Sequence, residues 1–226
     1  MKVAVLFSGG KDSTFACYKA MEKQEVACLI TLISKNPESY MFHTPNISLS
    51  KVQAEAIGLP LVSAETEGKK EEELKDLRKA MEKAKEKYGI EGIVTGAVQS
   101  VYQSTRVQKI CNSLNLLCFN PLWQVDQRKY MEEFISSGFK AMIVGVFSQP
   151  FDESWLGRII DRKTVEELIE ISKNFKTSLT GEGGELETFV FDGPLFKRRI
   201  EILKASKVYK DYNGTYNIEK FRLVKK

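Results

Sequence analysis

The chain has 226 residues, 42% hydrophobic and 28% charged, with a formal net charge of +4. That is enough apolar material for a real core, in one large domain or two small ones. The net charge is mild and Lys and Glu are interleaved, so composition argues for neither nucleic-acid nor membrane partners, and no apolar run reaches the roughly 20 residues of a bilayer span. The short apolar run at 3–7 leads into Ser8-Gly9-Gly10-Lys11-Asp12-Ser13 and not into a small-residue cleavage site. The expected location is therefore the cytoplasm.

Residues 3–7 form a continuous apolar run, as expected for a strand buried on both faces. After the Ser8-Gly9-Gly10 turn a helix is expected from about Lys11 to Glu22, then a buried strand at 26–33. A loop carries Asn36 through Asn46, and Ser48 or Ser50 caps a short helix ending at Gly58. Pro60 to Ala64 is a third strand. Residues 71–88 are the clearest helix, with Leu74, Leu77, Met81, Ala84 and Tyr88 on one face and Gly89 as its stop. Strand 92–98, helix 104–114 and strand 116–119 complete the pattern.

This alternation implies an α/β fold with a parallel five-stranded sheet sandwiched by helices, Rossmann-like, over residues 1–123. Ligands of such sheets bind beyond the carboxyl ends of the strands. From 124 to 226 a smaller α+β domain is expected: helix 128–137, strand 141–147, an irregular stretch at 149–158, helix 163–174, strand 185–191 and a C-terminal hairpin.

The Ser8–Ser13 segment is where chemistry is expected. Glycines let successive backbone N–H groups turn toward phosphate oxygens, and a helix N-terminus favours negative charge. Lys11 adds a point charge; Ser8 and Ser13 add hydroxyl donors. The spacing is neither the G-x-x-x-x-G-K-[ST] loop nor G-x-G-x-x-G. Cys17, Cys28, Cys111 and Cys118 form no C-x-x-C pair and read as buried free thiols.

Ser8-Gly9-Gly10-Lys11-Asp12-Ser13 resembles the SGGxDS signature of the ATP-pyrophosphatase (PP-loop) superfamily. That resemblance implies ATP cleaved between the α and β phosphates, with Ser8, Gly9, Gly10, Lys11, Asp12 and Ser13 on the nucleotide. Asp12 would hold Mg²⁺ or order the loop. Further along come 39–46 with His43, Gly96-Ala97 through Tyr102-Gln103 and Arg106, Pro121-Leu122-Trp123, and Gly181–Thr188. Together these resemble the diphthine–ammonia ligase family, archaeal type, which amidates diphthine on elongation factor 2. The family pattern has an acidic residue at Val101, Glu at Gln108 and Tyr at Leu186.

The resemblance implies catalytic roles for Lys11, Asp12 and Arg106, and nucleotide contacts from His43 and Gly96. It places Tyr102, Gln103, Glu182, Gly184, Glu185, Glu187 and Thr188 against the substrate. His43, the sole histidine, would meet phosphate or substrate, and Arg106 the nucleotide, a substrate carboxylate or solvent. Glu185 and Glu187 would share a strand face, where carboxylates suit a quaternary ammonium. Trp155 is an aromatic wall or a core residue. Lys69-Lys70 and Lys197-Arg198-Arg199 are solvated charge or a docking surface.

Implied partners are ATP, Mg²⁺, ammonium and elongation factor 2 carrying diphthine, with no membrane and no direct nucleic acid; a homo-oligomer stays open. No residues remain for a glutaminase domain, so free ammonium or a separate subunit is the expected nitrogen source. Two other readings stand beside this one: a tRNA-modifying ATP-pyrophosphatase and a non-catalytic ATP-binding regulatory module.

Overall fold

The computed structural model describes residues 1–36, 45–69 and 71–226. His43, the rest of 37–44 and Lys70 lie outside the described residues. The chain divides into two compact units, Met1–His43 with Ile47–Trp123, and Thr44–Asn46 with Gln124–Lys226.

The first unit is built on five parallel strands: β1 (Lys2–Leu6), β2 (Glu25–Ser34), β3 (Leu61–Thr66), β4 (Gly92–Val94) and β5 (Leu117–Phe119). Its helices are α1 (Lys11–Met21), α2 (Ser50–Ile57), α3 (Glu72–Tyr88) and α4 (Val101–Ser113). Val3, Ala4 and Val5 of β1 are fully buried, which is why that strand reads as an unbroken apolar run. Strand alternation sends Ala4, Cys28, Ile30, Val62 and Ile93 into one layer. There they meet Leu77, Met81 and Ala84 of α3 and Val107, Ile110 and Cys111 of α4. Each large side chain so buried contributes roughly 1.5–3 kcal/mol. Helix α1 packs on β1, β2 and β4 and buries Phe15, Ala16, Cys17 and Ala20.

The strand order is β3-β2-β1-β4-β5. The chain steps outward from β1 through β2 to β3, then returns to the other side of β1 at β4. Neighbours β1 and β4 therefore flank the topological switch point, where open α/β sheets hold ligands.

Two boundaries differ from the sequence reading by three residues or more. Strand β4 stops at Val94: the Thr95 N–H still donates to Phe119 O at 2.9 Å, but the Thr95 hydroxyl bonds Asn120 Oδ1 and accepts the Ala97 N–H at 3.2 Å, which turns the chain away after that last ladder bond. Helix α4 starts three residues earlier than expected, at Val101. Ser100 caps it, its Oγ accepting the Gln103 N–H at 3.3 Å.

The second unit holds β6 (Lys140–Val146), β7 (Leu186–Asp192), β8 (Arg198–Lys210) and β9 (Asn213–Lys225) in the order β7-β6-β9-β8, with antiparallel neighbours. Helices α5 (Gln127–Ser136) and α6 (Arg162–Phe175) start on the Asp126 and Asp161 carboxylates. Trp155 is 6% exposed, with Phe151 packed edge-on at 5.1 Å, so it is a core residue and not a substrate wall. Strand β6 pairs with β9 at Gly145↔Thr215 and Val146↔Gly214. Asn46 serves the next stretch of β9: its Nδ2 donates to Tyr216 O at 2.8 Å and its Oδ1 accepts the Ile218 N–H at 2.9 Å.

Candidate active site

Strand β1 delivers the chain into the glycine turn. The Phe7 N–H donates to Ile30 O at 2.8 Å, and Thr31 Oγ1 donates to Phe7 O at 2.6 Å, so the loop springs from a fixed point. Gly9 has φ +79°, a left-handed conformation that side chains resist. Gly10 is extended and offers no side chain to cap α1. The first helical bond runs from the Thr14 N–H to Gly10 O at 3.1 Å, so the backbone N–H groups of Lys11, Asp12 and Ser13 open the helix at its positive pole. Ser8 and Ser13 close the turn internally. The Ser8 N–H donates to Ser13 Oγ at 3.2 Å, and the two hydroxyls lie 3.1 Å apart.

Lys11 is 3% exposed, and its ammonium lies 2.9 Å from both carboxylate oxygens of Asp12. Two further residues press on the same turn. A Cβ built on Gly96 would lie 2.6 Å from Ser13 N and 2.7 Å from the Asp12 carbonyl carbon. The segment after β4 thus meets the first turn of α1 backbone to backbone. Gln53, fully buried on α2, donates from Nε2 to Gly9 O at 2.8 Å. A Cβ on Gly9 would sit 1.9 Å from Gln53 Oε1. The structure thus brings Ser8–Ser13 and Gly96 together at the β1/β4 switch point.

Tyr102, Gln103 and Arg106 lie on the first turns of α4. The Arg106 guanidinium stacks on the Tyr102 ring at 3.4 Å, and its Nε and Nη2 reach Glu71 Oε1 at 3.2 and 2.7 Å. Glu71 has φ +68°, unusual for a side-chain-bearing residue, so the partner of Arg106 is held at a strained position. Val101 is 65% exposed, and Gln108 bonds Asn112 along the helix at 2.8 Å. Both departures from the family pattern therefore fall on the helix surface.

In the second unit the Gly181–Glu185 segment is a folded turn leading into β7. Ser178 Oγ receives the Thr180 and Glu182 N–H groups at 3.3 and 3.2 Å. Gly181 and Gly184 take positive φ, and the Gly184 N–H closes on Gly181 O at 2.9 Å. Glu185 precedes β7, and its Oε1 turns back to accept the Ser178 N–H at 2.9 Å. Glu187 stands opposite Gly145 in the ladder. Thr188, opposite Ile143, is 6% exposed within the strand.

A sequence model of the diphthamide synthase N-terminal domain matches residues 1–117, and one of the C-terminal domain matches 126–224. The chain belongs to the diphthamide synthase family. A relative from Homo sapiens named diphthine–ammonia ligase is 37% identical, over 92% of this chain and 85% of its own. One of the same name from Bos taurus is 36% identical over the same shares. The Schizosaccharomyces pombe ligase is 31% identical over 95% of this chain and 38% of its own length.

The residues of this family member fit a nucleotide phosphate: two glycines clear a backbone cradle, a helix N-terminus faces it, and a buried ammonium stands beside it. Among the described residues no group of three or more His, Cys, Asp or Glu could hold a metal ion. A Mg²⁺ ion fits only as nucleotides usually carry it, with one or two carboxylates and the phosphates as ligands; Asp12 is the carboxylate in place. Gln53 escaped the sequence reading. Its sole signal was a glutamine on the apolar side of a short helix.

The cysteines sort by burial. Burial pushes the Cys17 and Cys28 thiols up to about 12 from an ordinary 9.0. Cys118, half-buried on β5, is held below the ordinary value by a hydrogen bond from Cys111, whose own thiol is raised. At pH 8 iodoacetamide is expected to label Cys118 first and to spare Cys17 and Cys28 until the chain unfolds. Peptide mapping by mass spectrometry checks the order. The raised thiols keep their protons while the unfolded ones lose theirs, so stability is intact below about pH 9 and falls between about 9 and 12.

Proposed function

We propose that this chain is an ATP-dependent ligase that converts diphthine on elongation factor 2 to diphthamide in the cytoplasm, with ammonium as nitrogen source. The observation that carries the reading is the Ser8–Ser13 turn seated at the β1/β4 switch point and crowded by Gly96, in a chain whose two halves both match diphthamide synthase domains.

The N–H groups opening α1 and the Lys11 ammonium would hold the β and γ phosphates. A substrate carboxylate oxygen attacks the α phosphorus, the bond from that phosphorus to the bridging oxygen breaks, and pyrophosphate leaves. Charge grows on the leaving group in that step, so donors fixed on it stabilise the transition state. Ammonia then attacks the acyl carbon, AMP departs with the carbon–oxygen electron pair, and nitrogen gives up a proton. Asp12 would share Mg²⁺ with the phosphates. Arg106, steadied by Tyr102 and Glu71, suits a substrate carboxylate. Gln103, Glu182, Gly184, Glu185, Glu187 and Thr188 are proposed to shape the substrate side, with Glu185 acting through the turn it closes.

The test is product analysis. AMP and pyrophosphate should form only with ATP, ammonium and diphthine-bearing elongation factor 2 together. ADP as the product, or turnover indifferent to that protein, would sink the reading.

A further inference from the structure

The charge of this chain is unevenly placed. Residues 197–226 hold ten Lys and Arg against three Asp and Glu, a net of +7, while the whole chain carries only +4; the remaining residues are therefore net −3. The excess lies on the β8–β9 hairpin. Two of its three acids are neutralised within it, Glu201 by Arg222 and Glu219 by Lys204. Lys197, Arg199, Lys210, Lys220 and Lys225 make no ion pair with any described residue. Strand β8 is the outermost of its sheet, and Leu203 and Val208 are 46% and 63% exposed along it. Lys207 and Lys210 stand three residues apart on the regular part of that strand, so cations lie on both faces of the edge.

We propose that this hairpin is the docking surface for the protein substrate and that it receives an acidic, extended segment of that protein along β8. The identity of the partner rests on the ligase reading; the chemistry of the surface does not. An open strand edge supplies backbone donors and acceptors for one more strand. The lysines select the occupant. They oppose a second copy of β8, whose own lysines would lie against them, and they favour a strand of carboxylates. A nucleic acid fits less well. Tyr209 is tied to Phe151 O at 3.3 Å and the Tyr216 ring is packed on Gly157, which leaves Tyr212 at the hairpin tip as the exposed ring for base stacking.

The test reverses three exposed cations in the full chain, Arg199→Glu, Lys210→Glu and Lys220→Glu together, with an unchanged unfolding midpoint as the folding control. The KM for the diphthine-bearing factor should rise on the order of tenfold and lose most of its salt dependence, with kcat and the KM for ATP unchanged. A fluorescent oligoglutamate peptide, titrated at low salt, should bind the parent chain on the order of tenfold more tightly than the variant. Unchanged values in both assays would overturn the proposal, as would tighter binding of an oligouridylate of equal charge. Charge-dependent oligoglutamate binding without any diphthine-dependent AMP formation would leave the acidic-segment dock standing and overturn the ligase reading instead.

Discussion

Gly96→Ala should lower diphthine-dependent AMP formation by at least about 100-fold while the chain still folds. The added Cβ would meet Ser13 N at 2.6 Å, the Asp12 carbonyl carbon at 2.7 Å and Ser13 Cα at 2.9 Å. These are backbone atoms of the first turn of α1, so no side chain can swing aside. Either the helix start or the segment after β4 must move, and an error of about 1 Å in a reacting geometry can cost 10²-fold. Gly89→Ala is the matched control. Gly89 has φ +64° but nothing within 4 Å of its would-be Cβ, so that change should cost stability, about 1 kcal/mol, and spare activity. AMP release measured beside thermal unfolding separates the two. A Gly96→Ala protein within twofold of the parent would refute the placement of this turn.

Lys11→Met should cut kcat by roughly 10²–10³, the usual loss when a donor aimed at developing charge is removed. Methionine keeps most of the buried volume of the 3% exposed side chain, so packing is preserved and the charge alone is lost. The change also leaves the Asp12 carboxylate, now 2.9 Å from the ammonium, without that cation, and it would repel the triphosphate. ATP affinity should therefore fall together with kcat. Asp12→Asn separates the two roles open to that residue. A rise in the Mg²⁺ concentration needed for half-maximal rate marks a metal ligand. A rate loss with unchanged Mg²⁺ dependence marks a residue that only orders Lys11. Pyrophosphate release against ATP and Mg²⁺ titrations reads both.

The first unit was legible where structure is local. Strand β1 announces itself because both its faces are buried. Helix α3 does so through its spacing and through Gly89, whose left-handed turn returns its N–H to Lys85 O at 2.9 Å. The β4–α4 boundary was not legible, because the Thr95 hydroxyl that turns the chain bonds a side chain 25 residues away. Gln53 was hidden for a similar reason, since its acceptor lies 44 residues back. The turn that Glu185 closes was hidden as well, since its Oε1 accepts the Ser178 N–H seven residues earlier. The basic hairpin was masked by averaging: a mild total charge conceals a cationic ribbon balanced by an acidic remainder.

Asn46 bears on the order of assembly. Its two bonds join residues 170 and 172 positions apart, so they must close one of the longest loops in the chain. Loop-closure entropy rises slowly with length, but a contact of such separation still waits for its partner strand to be made. During synthesis the segment that carries Asn46 is complete long before β9 exists. The second sheet therefore recruits an early stretch of chain late, and Asn46→Ala should speed unfolding more than it slows folding, as read from the two arms of a denaturant chevron.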